Sequence, residues 1–305
     1  MSKYVEAAKR IEQFYEKDEM RLDAPMSDHT SFKIGGPAKI LTQPRQPEQI
    51  RETLNVCRDL NLPFYIIGNG SNLLVPDHGI DGVVVKISDA FDDARIEGTK
   101  IIAKSGILLS RLANLAMNND LGGLEFASGI PGTLGGAIFM NAGAYGGEMK
   151  DVVESVTILT QEGEIVTLEN EACEFGYRSS AIQRCGSIVL EVTLNLESRS
   201  YADIKEVVDD LTVKRTSKQP LDLPSAGSTF KRPEGHYAGK LIDDAGLRGI
   251  RVGDAQVSEK HCGFVVNRGK ATSAEVMELI SLVQKVVKDK FDVTLEPEVR
   301  LFGEE

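Results

Sequence analysis

Residues 130–147 read IPGTLGGAIFMNAGAYGG. Six of these eighteen residues are glycine and none is charged, so the stretch is longer than any turn requires. Glycine has no Cβ to keep a ligand away, and a backbone rich in it suits close approach. Three uses compete: a loop against a bound ligand, tight packing of a helix on a strand, and a membrane helix dimer. The last is suggested by Gly132–Gly136 and Gly143–Gly147, which both match GxxxG. The neighbours are too small and too polar for a membrane span, which disfavours it.

A second glycine-rich stretch, GNGSN (68–72), lies between the apolar runs YII and LLV. Glycines and small polar residues after a strand form a nest of backbone N–H groups that holds a pyrophosphate. Neither GxxxxGK[ST] nor GxGxxG is present, so this is neither a P-loop nor a dinucleotide fingerprint. Alone, it reads equally well as strand–turn–strand. Two such loops more than fifty residues apart suggest one extended cofactor between them, and a dinucleotide such as FAD fits better than ATP. Ser128, Asn141 and the loop amides are candidates to bind it without a full cation.

Around these loops the periodicity predicts a helix over 3–17, a strand at 38–42, a helix opened by Pro47, and strands at 63–67 and 82–87. A hairpin is expected over 95–104 and a short helix over 110–120. Strands follow at 155–160, 164–168 and 187–196, rich in β-branched residues. A helix with Ile204, Val207, Val208 and Leu211 is expected to give way to a basic linker, VKRTSKQP (213–220), marking a domain boundary. Thr272-x-x-Glu275 is a capping box opening a long helix. The chain of 305 residues exceeds one core, and the pattern is α+β in three parts: 1–87, 88–212 and 213–305.

The formal net charge of −11 opposes a phosphate backbone, so no nucleic-acid partner is expected. Cys57, Cys173, Cys185 and Cys262 include no CxxC pair, so neither a metal site nor a disulfide scaffold is expected. The N-terminus is charged and no segment is long and apolar enough to span a bilayer. A cytoplasmic, monomeric protein without membrane contact is the expectation.

Three further motifs offer chemistry. FGYRSS (175–180) places Arg178 in a loop beside an aromatic residue, with a planar fork for a carboxylate or phosphate. SAGSTFKRP (225–233) offers Ser228, Lys231 and Arg232. LEPEVR (295–300) offers Glu296, Glu298 and Arg300, which on a strand would share one face. A solvated arginine, a turn serine and a surface ion pair are the plainer readings of the three.

Taken in order, GNGSNLLV, IPGTLGGAIFMNAGAYGG, GYRSS, AGSTFK and LEPEVR resemble the UDP-N-acetylenolpyruvoylglucosamine reductase (MurB) family, from about His29 to Phe302. The resemblance implies an FAD-binding fold of the vanillyl-alcohol-oxidase/PCMH type in two subdomains, plus a C-terminal α+β domain that binds substrate. It implies non-covalent FAD, reduced by NADPH, which leaves before the enolpyruvyl UDP-sugar takes its place. The product, UDP-N-acetylmuramate, serves bacterial peptidoglycan synthesis and hence cell-wall biogenesis, shape and division. Carried over by motif, Arg178, Ser228 and Glu298 match the catalytic arginine, general acid and carboxylate. Gly68, Asn69, Gly70, Ser71, Asn72, Leu73, Ser128, Gly129, Gly135, Gly136, Asn141, Gly143 and Arg215 match cofactor-binding positions. Tyr177, Lys218, Lys231, Arg232 and Arg300 match substrate-binding ones. The sequence resembles the short form of the family: no counterpart exists to the long form's tyrosine loop over uridine, and Arg232 stands where the long form has asparagine.

Overall fold

The computed structural model describes residues 2–303. Contacts divide the chain into two units. The first comprises Met1–Leu22, Ile40–Asn69 and Val83–Arg215; the second comprises Asp23–Lys39, Gly70–Gly82 and Thr216–Glu305.

The first unit opens with the helix Lys3–Ile11, followed by a 3-10 turn at Glu12–Phe14 that ends the expected helix early. The helix Pro47–Leu60 has Pro47 in its first turn and a reciprocal Gln46/Gln49 cap. Its buried face is Ile50, Thr53, Val56 and Cys57, at helical spacing, and Asn61 in the left-handed region ends it. Ala7, Ala8, Ile11, Val56, Cys57, Ile40 and Val83 pack into one small core. The strand Phe64–Ile67 runs parallel to Val83–Lys86.

The rest of the first unit is built on a five-stranded sheet of order 165–169, 153–159, 188–195, 100–104, 94–97. All its pairings are antiparallel. Residues rich in Val, Ile and Leu form these strands because branched side chains pack well on a pleated surface. Val156, Ile158, Val189, Val192 and Leu194 bury one face against the helices Leu109–Met117 and Leu134–Phe139.

That last helix is unexpected, because it lies inside the glycine-rich stretch. Thr133 caps it through the Gly136 N–H, and Leu134, Ala137 and Ile138 are buried. Burial of three apolar side chains, about 1.5–3 kcal/mol each for the larger ones, outweighs a penalty of about 0.5–1 kcal/mol for each of the helix's two glycines.

The expected basic linker is also helical. One helix runs Tyr201–Lys218, through VKRTSK, and stops before Pro220. Nothing in 213–218 breaks a helix, and Lys205–Asp209 and Lys214–Asp210 pair at i,i+4.

In the second unit, Phe32, Ile34 and Leu74 pack with Ala226, Phe230 and the helices Ala238–Asp244 and Ser273–Phe291. A three-stranded antiparallel sheet (251–252, 255–257, 265–267) completes the layer. Thr272 and Glu275 form the expected capping box, and Val276, Leu279, Ile280, Val283 and Val287 are the buried stripe. Asp77 adds to that helix start, accepting from the Ser273 and Ala274 N–H groups. LEPEVR is not one continuous strand: only Arg300–Leu301 is a strand, parallel to Leu73–Leu74, so the alternation that would put Glu296, Glu298 and Arg300 on one face does not apply. Pro297, which has no N–H to donate, leaves an isolated bridge to Phe230 instead.

Candidate active site

In the first unit the two glycine-rich loops touch. The Asn69 side-chain amide donates to the Pro131 carbonyl at 2.6 Å. A Cβ added to Gly68 would lie 2.1 Å from Thr133 Oγ1, a separation no real pair tolerates. Both positions therefore require what they have: no side chain at 68, and an amide at 69.

The amides of these loops are not equally available. The Leu134 and Gly135 N–H groups donate to the Ile107 and Ser105 carbonyls, so they are spent on the fold. Among the described residues of the first unit, those of Gly68, Asn69, Gly129, Gly132 and Thr133 donate to no protein acceptor. A row of N–H groups without acceptors fits a diphosphate, which accepts from backbone as readily as from lysine. Of the residues expected to contact a cofactor, Gly135 thus contributes packing: its Cβ would lie 2.9 Å from the Ser105 side chain. Gly136 is exposed, and a Cβ there meets nothing nearer than 3.6 Å. Ser128 donates its hydroxyl to the Glu125 carbonyl, one turn back.

Arg215 reaches this edge from the helix Tyr201–Lys218. Its guanidinium donates to the Gly129 carbonyl and lies 5.9 Å from the Tyr145 ring. A Cβ on Gly129 would meet Arg215 Nε at 2.7 Å, so that glycine makes room for the arginine.

Arg178 sits at the tip of a tight hairpin, closed by Gly176 N to Ser179 O (3.0 Å) and Ser179 N to Gly176 O (3.3 Å). Its φ is +52°, where a non-glycine residue costs about 1 kcal/mol. Glycine would be easier there, so the side chain is what the position keeps. The guanidinium donates to the Gly143 carbonyl at 3.3 Å and lies 5.1 Å from the exposed Tyr177 ring. Glu148 is near: hydrogen bonding with Lys150 first, then with Asn141, and the charges of Lys150 and Arg178, hold its carboxyl below the ordinary range, against the cost of burial. Asn141 is fully buried and its side chain makes three bonds within the protein.

In the second unit, Gly70 is held against the 29–31 segment: its carbonyl accepts from the Ser31 N–H, and a Cβ would lie 2.2 Å from His29 O. Asn72 joins the C-terminal motif. Its side-chain amide donates to the Glu298 carbonyl at 3.1 Å, and its own carbonyl accepts from the Arg300 N–H at 3.0 Å. The Glu298 N–H in turn donates to the Thr229 carbonyl at 2.8 Å, which brings Ser228 and Glu298 to the same edge. Ser228 is exposed and follows Gly227, whose φ is +76°.

Lys231 pairs with Glu296 at 3.2 Å, and Arg232 stacks 4.2 Å from the exposed Tyr237 ring. Lys218 ends its helix exposed. Burial first, then the charges of Arg248 and Lys218, push His261 down. Among the described residues, no group of three or more His, Cys, Asp or Glu is placed to hold a metal, and no helix is long and apolar enough to cross a membrane.

Two family models match: an FAD binding domain over residues 38–169, and the C-terminal domain of UDP-N-acetylenolpyruvoylglucosamine reductase over 219–302. The UDP-N-acetylenolpyruvoylglucosamine reductase of Alkaliphilus metalliredigens is 56% identical, covering 93% of this chain and 93% of its own. The chain belongs to that family. A crystal structure of the family's member from Thermus caldophilus superposes with a TM-score of 0.80 at 35% identity, covering 93% of this chain and 98% of its own. p-Cresol methylhydroxylase, at 12% identity and a TM-score of 0.50 over 98% of this chain and 66% of its own, shares the fold alone. The fold is therefore the FAD-binding one of the vanillyl-alcohol-oxidase/PCMH type, with the reductase family's C-terminal domain appended.

Thr133, Gly132 and Glu148 were not among the residues expected from sequence. Thr133 carried a signal, since a threonine ahead of Leu-Gly-Gly-Ala-Ile is a helix N-cap. Replacing Gly68 with alanine is expected to cost about 1–3 kcal/mol through overpacking on Thr133, and to weaken flavin uptake measured by fluorescence titration. Gly136→Ala, whose Cβ would meet only Thr133 Oγ1 at an ordinary 3.6 Å, is expected to leave the melting temperature unchanged or higher. Equal stability of the two variants would show that the Gly68–Thr133 contact is not a constraint.

Proposed function

We propose that this protein reduces UDP-N-acetylglucosamine enolpyruvate to UDP-N-acetylmuramate in peptidoglycan precursor synthesis, with bound, non-covalent FAD and with NADPH as reductant. The observation that carries the reading is the edge where the Glu298 N–H binds the Thr229 carbonyl, with the Ser228 hydroxyl exposed one residue away. That backbone bond supports a shared role for a hydroxyl proton donor and a carboxyl, and both residues lie within the matched reductase domain.

The acceptorless amides of Gly68, Asn69, Gly129, Gly132 and Thr133 are assigned to the FAD diphosphate. Gly70, Ser71, Asn72, Leu73, Ser128, Gly135, Gly136, Gly143 and Arg215 shape the remainder of that binding surface, while Asn141, wholly buried and bonded within the protein, supports it from behind. When bound, FAD supplies a two-electron carrier that takes hydride from NADPH and passes it to the vinyl group of the substrate.

The residues supply the rest. Addition at the terminal vinyl carbon leaves negative charge on the carbon next to the carboxylate, delocalised into it as an enolate. Arg178, a fixed cation, stabilises that charge, and preorganised stabilisation of this kind is often the largest catalytic contribution. Ser228 gives its proton to the carbon and regains one from solvent. A hydroxyl is a weak acid, but a carbanion is a strong base, and the transfer runs downhill. Glu298 provides the carboxyl beside it. Tyr177, Lys218, Lys231, Arg232 and Arg300 bind the substrate, with the Arg232–Tyr237 stack assigned to the uridyl diphosphate end. The proposed division of labour is 1–87 and 88–212 for FAD and 213–305 for substrate, in a monomeric cytoplasmic protein.

Anaerobic mixing tests the reaction. NADPH is expected to bleach the yellow protein, and UDP-N-acetylglucosamine enolpyruvate to restore the colour without oxygen. Colour that returns only with oxygen, together with turnover of a sugar alcohol, would replace this reading with that of an oxidase.

A further inference from the structure

We propose that Asn141 is a positioning residue for Arg178: it clamps the hairpin that presents the guanidinium, and Glu148 fixes the orientation of its amide. The inference rests on the catalytic role assigned to Arg178 above.

Asn141 is wholly buried and has a φ of +43°, a left-handed conformation that asparagine adopts more readily than most side chains. Its Nδ2 donates twice, to Glu148 Oε2 at 2.9 Å and to the Gly176 carbonyl at 3.0 Å. Its Oδ1 accepts from the Lys150 N–H at 2.9 Å. Gly176 is the first residue of the hairpin that carries Arg178, and its carbonyl also accepts from the Ser179 N–H. The clamp thus holds the hairpin at its closing bond, two residues from the guanidinium. A second anchor lies on the other strand, where the Ser180 hydroxyl donates to the Phe139 carbonyl at 2.8 Å.

Both anchors come from the glycine-rich stretch or its border, and so does the Gly143 carbonyl that accepts from Arg178 itself. A primary amide has two donors and one acceptor oxygen, and a carboxylate only accepts. Glu148 therefore admits one orientation of Asn141, with nitrogen toward Gly176. This orientation is what the Gly176 carbonyl needs. The stretch that frames the cofactor is also the base on which the catalytic arginine stands. A displacement of about 1 Å at such a group costs on the order of 100-fold in rate.

The test is a mutant cycle read on the two half-reactions by anaerobic stopped flow. Asn141→Ala is expected to slow flavin reoxidation by the enolpyruvyl substrate about 100-fold, with reduction by NADPH and bound FAD changed less than about threefold. Added to Arg178→Ala, it is expected to cost almost nothing more, because it acts through a side chain already removed. In the flavin-free protein, hydrogen exchange at the Gly176 and Ser179 amides is expected to quicken.

Glu148→Gln, which keeps an acceptor for Asn141, is expected to retain the reoxidation rate to within about threefold. Glu148→Ala is expected to lose it, and this pair serves the test should Asn141→Ala not fold. Full additivity of Asn141→Ala with Arg178→Ala, or loss of FAD, overturns the positioning role and leaves Arg178 catalytic. Normal reoxidation in Arg178→Ala overturns both readings together.

Discussion

With Ser228 replaced by alanine, NADPH bleaches the flavin at the unaltered rate and the enolpyruvyl substrate restores its colour about 10²–10⁴-fold more slowly, the usual worth of a positioned general acid. The expectation follows from how little else the hydroxyl does. Ser228 is exposed, whereas its neighbour Thr229 is bonded at every polar atom: its N–H to the Gly263 carbonyl, its carbonyl to the Glu298 N–H, and its hydroxyl to the Val265 N–H. The backbone that presents Ser228 is thus fixed independently of the Ser228 side chain. Truncation is expected to shift stability by no more than about 0.5 kcal/mol. Stopped-flow absorbance of the two half-reactions separates the outcomes. Survival of both would remove Ser228 from the chemistry.

Arg178→Ala is the second large effect, with reoxidation slowed about 10²–10³-fold, the typical loss on removing one preorganised charge-stabilising donor. Alanine bears the same left-handed backbone penalty as arginine at φ +52°, so the hairpin strain does not change. The lost bond to the Gly143 carbonyl is worth about 1 kcal/mol. Arg178→Lys keeps the charge but loses the planar fork, and is expected to recover only part of the rate. The same measurement decides: if reduction by NADPH falls as far as reoxidation, Arg178 holds the flavin and not the substrate's charge.

The sequence revealed the strands and the long helix because their signals are local. Val153–Leu159 and Ile188–Asn195 are dense in β-branched residues, and Thr272/Glu275 marks its helix start without help from the rest of the chain. Two segments read wrongly were judged by composition. VKRTSK is polar and basic, but polarity alone does not break a helix, and Pro220 does. LGGAIF is glycine-rich, yet a cap and three buried side chains make it helical.

The site divides in the same way. Gly68, Arg178, Ser228 and Glu298 lie in motifs visible to the eye. Which amides remain available was not visible, because Leu134 and Gly135 are satisfied by carbonyls at Ile107 and Ser105, well upstream. The bonds of Asn141 to Glu148 and Gly176 were not visible either, because they exist only in three dimensions.

The second unit has a consequence for how the chain is made. Its core joins Phe32 and Ile34 to Ala226 and Phe230, and Ser31 bonds a carbonyl 194 residues later. At roughly 5–20 residues per second on the ribosome, those early apolar side chains wait on the order of 10–40 s for their partners to be synthesised. A C-terminal fragment cut at the family-model boundary would meet the converse problem, emerging with the places of Phe32, Ile34 and Leu74 unfilled. The stretch that looks most like a separable module is therefore completed by residues translated first.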